Sequence, residues 1–129
     1  MIIGLGIDLI DIRRIERVIS QYGHKFKNRI FTPAEIEKCD NRRLSLDSYA
    51  KRYAAKEALS KALGTGIRTG INFKDIEILN DNFGKPFIKL KGSTANFLKK
   101  KIKNRKYSIY LSLSDDIPWA QATVIVSYN

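Results

Sequence analysis

The chain has 129 residues, one cysteine, one histidine and a formal net charge of +11. That length suits a single domain over 1–129 whose modest core needs no disulfide or metal staple. Cys39 has no intrachain partner and no companions at metal-ligand spacing, which excludes a disulfide scaffold and a zinc finger and fits a reducing compartment; with no run near the roughly 20 apolar residues of a membrane span, a soluble cytoplasmic protein with polyanionic partners is expected.

Met1 to Ile10 is a nearly continuous apolar run, β-branched and punctuated by Gly4 and Gly6. It predicts a strand over 2–9 covered on both faces. The run has no basic n-region and is broken by Asp8 and Asp11, so it does not read as a secretory leader. A carboxylate buried in such a strand needs a cation, a metal or several donors, which makes Asp8 a site candidate. The alternative is an early end to the strand, with Asp8 or Asp11 capping the next helix. Asp11 suits that role better, because Ile12, Ile15, Val18 and Ile19 recur at helical spacing over 11–22. Arg13, Arg14 and Arg17 point away from that stripe, with Lys25, Lys27 and Arg29 just beyond it. These cations form either a docking surface for an acidic partner or a solvated helix face. His24 follows the helix-ending Tyr22-Gly23 and, without a companion ligand, reads as a surface residue.

Helices are expected next over 33–39 and 46–63. In the second, strong helix formers from Arg52 run into the Gly64-Thr65-Gly66 stop. At about 100° per residue, Arg52, Lys56, Glu57, Ser60 and Lys61 fall on one half of the helix surface. Ala54, Ala55, Ala58, Leu59 and Ala62 fall on the other, where small side chains allow close packing. Three cations, a carboxylate and a hydroxyl facing a cleft suit a polyphosphate and its metal. Glu57 and Lys61 are equally an ordinary i,i+4 pair of an exposed helix.

Strands are expected over 73–79 and 86–90, joined by the turn chemistry of Asn80 to Gly84. A helix over 93–103 follows, capped by Ser93 or Thr94. Strands over 107–113 and 119–127 form a terminal hairpin with a longer loop through Asp115 and Pro118, and Trp119 is expected to pack. The basic run Lys99 to Lys106 lacks the interleaved aromatics of single-strand binders, and no zinc or helix-turn-helix pattern accompanies it. Its lysines suit the negative end of a helix dipole, which leaves nucleic acid the weaker partner.

Five segments in fixed order carry a resemblance. They are Gly6-Ile7-Asp8 leading to Arg14-Ile15; Phe31-Thr32-Pro33-Ala34-Glu35; the gapless run from Arg52 through Tyr53, Ala54, Ala55, Lys56, Glu57 and Ala58 to Gly66; Phe73-Lys74-Asp75-Ile76-Glu77-Ile78; and Gly84-Lys85-Pro86. Together they resemble the holo-[acyl-carrier-protein] synthases, the small bacterial branch of the 4′-phosphopantetheinyl transferases. The resemblance spans essentially the whole chain. It implies an α+β domain of order β-α-α-α-β-β-α-β-β, assembling as a trimer with coenzyme A in clefts between subunits. The implied reaction transfers 4′-phosphopantetheine from coenzyme A to a serine of apo acyl carrier protein, releases adenosine 3′,5′-bisphosphate and supports fatty acid biosynthesis. Asp8 and Glu57 would hold Mg2+, with Glu57 a candidate base, directly or through water. Lys61 would neutralise the leaving phosphate, Lys56 and Arg52 would hold other phosphates, and the Gly64-Thr65-Gly66 turn would let the nucleotide approach. Arg14 would dock the acidic carrier. One departure stands out: Ser112-Leu113-Ser114-Asp115-Asp116 occupies a position where many members of the family carry a histidine, so that histidine's role does not transfer to Asp115. A basic module that binds an acidic protein or nucleic acid without catalysis is the other reading, and it has no use for Asp8 beside Glu57.

Overall fold

A computed structural model describes residues 1–68 and 70–129. Ser45–Ala62 forms the longest helix, α4, and the rest of the chain is arranged around it. Before it come strand β1 (Ile2–Asp11) and helices α1 (Ile12–Tyr22), α2 (His24–Ile30) and α3 (Pro33–Asp40). After it come a single 3-10 turn (Phe73–Asp75), strands β2 (Ile76–Asn80) and β3 (Pro86–Leu90), helix α5 (Gly92–Lys101) and strands β4 (Tyr107–Asp116) and β5 (Trp119–Tyr128). This is the expected α+β class, with one helix more than the expected order. Residues 24–30 fold as α2 because Gly23, at φ 54, turns the chain after α1 without ending helical structure beyond it. His24 opens α2 and is exposed.

The strands make two antiparallel sheets, one of order β1-β5-β4 and a two-stranded ribbon of β2 and β3. α4 lies along β1 and β5. Ala120, Ala122, Val124 and Val126 alternate toward it from β5, and Ala54, Ala55, Ala58, Leu59 and Ala62 meet them from the helix. β1 comes closest. A Cβ on Gly6 would overlap the Ala58 carbonyl oxygen and one on Gly4 that of Ala62, so only glycine lets this strand seat on the helix backbone.

Four expectations change. β1 is covered on one face only: Leu5, Ile7 and Leu9 point away from α4 and are 58%, 49% and 59% exposed in the single chain. The terminal hairpin is tighter than expected, since Asp116 pairs with Trp119 and only Ile117 and Pro118 form the turn. Trp119, at the strand's start, is half exposed rather than packed. The cap of α5 also comes from elsewhere: Asp75 Oδ2 accepts from the Thr94 backbone N–H and from the Ser93 and Thr94 hydroxyls. Among the described residues no helix is long and apolar enough to cross a membrane.

Candidate active site

Asp8 lies on the α4 side of β1, in the same alternation as Gly4 and Gly6. Because those two glycines bring the strand onto the helix, Asp8 meets α4 where Glu57 and Lys61 emerge. Lys61 Nζ donates to Asp8 Oδ1 at 3.1 Å and to the Ile7 carbonyl at 3.0 Å. Asp11, three residues on, is the N-cap of α1 as expected: its carboxylate accepts from Arg13 N–H and is clamped by the Arg13 guanidinium. That pairing holds the Asp11 carboxyl down at about 2.

Partial burial pushes the Glu57 carboxyl up, and the nearby Asp8 charge pushes it further in the same direction. Two carboxylates in that relation invite a cation. The donor set is hard oxygen with no histidine or cysteine, which fits Mg2+ better than zinc. Among the described residues no cluster of three or more His, Cys, Asp or Glu gathers anywhere, so the protein would supply two ligands and leave the other positions to water and phosphate.

The polar arc of α4 divides into two rows. Tyr53, Glu57 and Lys61, at i+4 spacing, reach the surface beside β1. Arg52, Lys56 and Ser60, one residue earlier and so about 100° round the helix, are buried. Lys56 is the clearest correction to the expected phosphate contacts. It has no exposed surface, and its ammonium donates to Glu35 Oε1 at 2.7 Å, the Phe73 carbonyl at 2.8 Å and the Ile30 carbonyl at 3.0 Å. All three donors are occupied, so none remains for a phosphate. Arg52 is 4% exposed and gives its fork to Ser48 Oγ (2.7 Å) and Asn80 Oδ1 (2.9 Å), which turns it inward as well. Ser60 donates to the Glu57 carbonyl within the helix.

The C-terminus of α4 keeps its expected form. Gly64 and Gly66 take φ of 81° and 69°, and the Thr65 and Gly66 N–H groups return to the Ser60 carbonyl. Nothing stands within 4 Å of a Cβ built on either glycine, so the turn is open to solvent one step beyond Lys61.

Asp115 lies elsewhere. It is 3.8 Å from Lys51 and beside Asp47, near the N-terminal end of α4. Burial first, and Asp115 second, raise the Asp47 carboxyl. From Asp47 to Glu57 is about 15 Å along the helix, so Asp115 takes no part in the Asp8–Glu57–Lys61 group of its own chain. On α1, Arg14 and Arg17 are exposed while Ile12 and Ile15 are buried. Arg13 is held by Asp11.

Tyr53 belongs to this site although composition and spacing single it out for nothing but an aromatic position. Its ring stacks on Phe73 at 5.7 Å and 26°, one helical turn before Glu57 on the same side of α4. The i,i+4 relation of Tyr53 to Glu57 was the available signal.

A family model for the 4′-phosphopantetheinyl transferase superfamily matches residues 4–121 of the chain. The holo-[acyl-carrier-protein] synthase of Bartonella tribocorum is 50% identical over 127 residues, 98% of this chain and 96% of that protein. That of Dinoroseobacter shibae is 47% identical over 128 residues, 98% and 92% of the two chains. Among solved structures, the synthase of Neisseria meningitidis superposes with a TM-score of 0.89 at 35% identity, covering 98% of this chain and 99% of that one. The synthase of Bacillus anthracis, solved in complex with CoA (3′,5′-ADP), gives 0.82 at 34% identity over 100% and 99% of the two chains.

Proposed function

The chain belongs to the 4′-phosphopantetheinyl transferase superfamily, in its holo-[acyl-carrier-protein] synthase branch, and on that premise we propose that it transfers 4′-phosphopantetheine from coenzyme A to a serine of an apo acyl carrier protein. The observation that carries the site assignment is the convergence of Asp8 from β1 with Glu57 and Lys61 from α4. The serine oxygen forms a bond to the pantetheine-bearing phosphate, and the bond to adenosine 3′,5′-bisphosphate breaks. The difficulty is electrostatic: a hydroxyl approaches an anionic diester while charge builds on the departing phosphate.

Asp8 and Glu57 would hold Mg2+, which when bound offsets the charge of the pyrophosphate. Lys61 is more than half exposed, and its ammonium sits between Asp8 and solvent, within reach of an anion that enters. It neutralises the leaving phosphate. Glu57, raised by burial and by Asp8, is the nearest base for the serine proton. The open turn at Gly64, Thr65 and Gly66 leaves room for the nucleotide beyond Lys61. Lys56 and Arg52 support this surface from beneath it.

The acidic carrier docks on α1 and α2. With Arg13 held by Asp11, Arg14 and Arg17 present the charge. A groove of about 430 Å³ lies between Val18, Tyr22, Lys25, Phe26 and Arg29 and offers an apolar floor with a cationic rim. The open face of the β1-β5-β4 sheet, with Leu5, Ile7, Leu9 and Tyr110 exposed, supports assembly of copies into a trimer with sites between subunits. The reading places one domain over 1–129, in the cytoplasm, supplying holo carrier protein for fatty acid biosynthesis.

Intact-mass spectrometry of an apo acyl carrier protein tests it. The expected result is a gain of one phosphopantetheine on serine with coenzyme A and Mg2+ present, and none when Mg2+ is chelated. Glu57→Gln and Asp8→Asn should abolish the gain while leaving the far-UV spectrum unchanged. Full activity in either variant would sink the assignment of that residue.

A further inference from the structure

The last turn of α5 and the loop after it carry Lys99, Lys100, Lys101, Lys103, Arg105 and Lys106, all of them exposed. No aspartate or glutamate occurs between residues 82 and 114. The chain ends that pack beside this loop, up to Ile7 in β1 and from Ile117 through β5, bring none either. Among the described residues these cations enter no ion pair, and only Lys101 gives its ammonium to a protein acceptor, the Leu63 carbonyl at 3.3 Å. Like charges gathered this way repel one another, and an anionic surface relieves them.

Two further observations say what kind of surface. Lys103 stands at φ 55, followed by Asn104 at φ 61. Asparagine accepts the left-handed region, but a lysine there is strained where glycine would not be. The turn itself favours glycine at 103, so the lysine serves something other than the turn. The cations also border apolar surface. A groove of about 330 Å³ is lined by Ile2, Ile3 and Ile102 together with Lys101, Lys103 and Arg105. Ile2 is 66% exposed, and the Arg105 guanidinium lies over the Tyr128 ring at 5.3 Å.

Apolar side chains set among cations match an amphiphile with an anionic head group. A nucleic acid backbone has no use for the isoleucines, and the basic run lacks interleaved aromatics on which bases could stack. A carrier docked on α1 does not cover the patch, because the length of β1, about 30 Å, separates its first residues from the start of α1. In the proposed trimer, rotational symmetry sets three copies of the patch at one level along the axis, which favours a planar partner.

We infer that this end of the molecule docks on the surface of an anionic phospholipid bilayer, with the lysines and Arg105 against the head groups and Ile2 at the acyl boundary. The contact is peripheral, and it does not depend on the transfer reaction.

Flotation with lipid vesicles tests it. The protein should float with mixed phosphatidylglycerol and phosphatidylcholine vesicles at low salt, stay behind with phosphatidylcholine alone, and be released at high salt. Lys103→Gly with Arg105→Gln should weaken the association about ten- to thirtyfold. The same variant should keep or raise the melting temperature and transfer phosphopantetheine at the parent's rate in the absence of vesicles. Arg14→Gln with Arg17→Gln removes equal charge from α1 and should change vesicle binding less than about threefold. A parent that ignores anionic vesicles at low salt overturns the inference. So does an equal loss from the two double variants, which would reduce the binding to net charge. Retention of duplex DNA without any vesicle binding would give the patch to nucleic acid and overturn it as well.

Discussion

Lys56 carries its ammonium where no surface is exposed, against an equally buried Glu35. Burial pushes the lysine down from its ordinary range, and the Glu35 charge opposes that. The pair holds together because every donor and acceptor is met: Glu35 Oε1 accepts from Thr32 N–H as well as from Lys56, and Oε2 accepts from Ile78 N–H. One carboxylate thereby joins the start of α3, the middle of α4 and strand β2. Removing the cation alone strands a buried charge, so Lys56→Met should cost about 3–5 kcal/mol in urea unfolding. Adding Glu35→Gln should return part of that loss, since the amide oxygen can still accept from Thr32. A single variant within about 1 kcal/mol of the parent would show that the pair is not a strut. The composition of this helix was readable, but the side of Lys56 was not. Which of two adjacent lysine-bearing rows faces the interior depends on what covers it, and the cover here is the Phe73 turn and β2, well downstream in the chain.

The contact of β1 with α4 sets where Asp8 meets Glu57. It depends on two glycines facing helix carbonyls, with no side chain between the two backbones. Gly6→Ala would push a methyl into the Ala58 carbonyl, which is backbone and cannot move aside as a flexible side chain would. The expected cost lies at or above the upper end of the roughly 1–3 kcal/mol typical of overpacking, read as a lowered urea midpoint. A midpoint equal to the parent's would mean that the strand can slide on the helix and that Asp8 is not fixed by this contact. Apolar runs, alternation and periodicity made β1, α1, α3, α4, α5 and the four later strands legible, while the close approach at Gly4 and Gly6 emerged only from the packed structure. The extra helix α2 was hidden because Gly23 reads as a stop. The tight hairpin was hidden because Asp115 and Asp116 look like loop residues yet pair across to Ala120 and Trp119. The cap of α5 escaped local reading for a different reason, since Asp75 reaches it from another element.

For the molecule as a whole, two surfaces look outward unsatisfied. One is electrostatic, the excess of +11 charges, part of which is gathered on α1 and α2. The other is apolar, the outer face of the three-stranded sheet, where Leu5 pairs across with Ile125 and Tyr110 stands beside it. A sheet whose inner face is packed on a helix and whose outer face carries leucine, isoleucine and tyrosine invites a second cover, which in the proposed assembly another copy of the chain would supply. Association on that face would also bring the outer side of β1 close to a neighbour, with Ile7 and Leu9 directly flanking Asp8 in the strand. Leu5→Glu combined with Leu9→Glu changes side chains that touch neither α4 nor the core, so the single chain should still fold. Light scattering should then show a mass one third of the parent's, and transfer to the carrier should fall to background because each site would lack its neighbour. A parent protein that scatters as a monomer at micromolar concentration while turning over at full rate would place the whole active site within one chain, and leave the open sheet face without a role in catalysis.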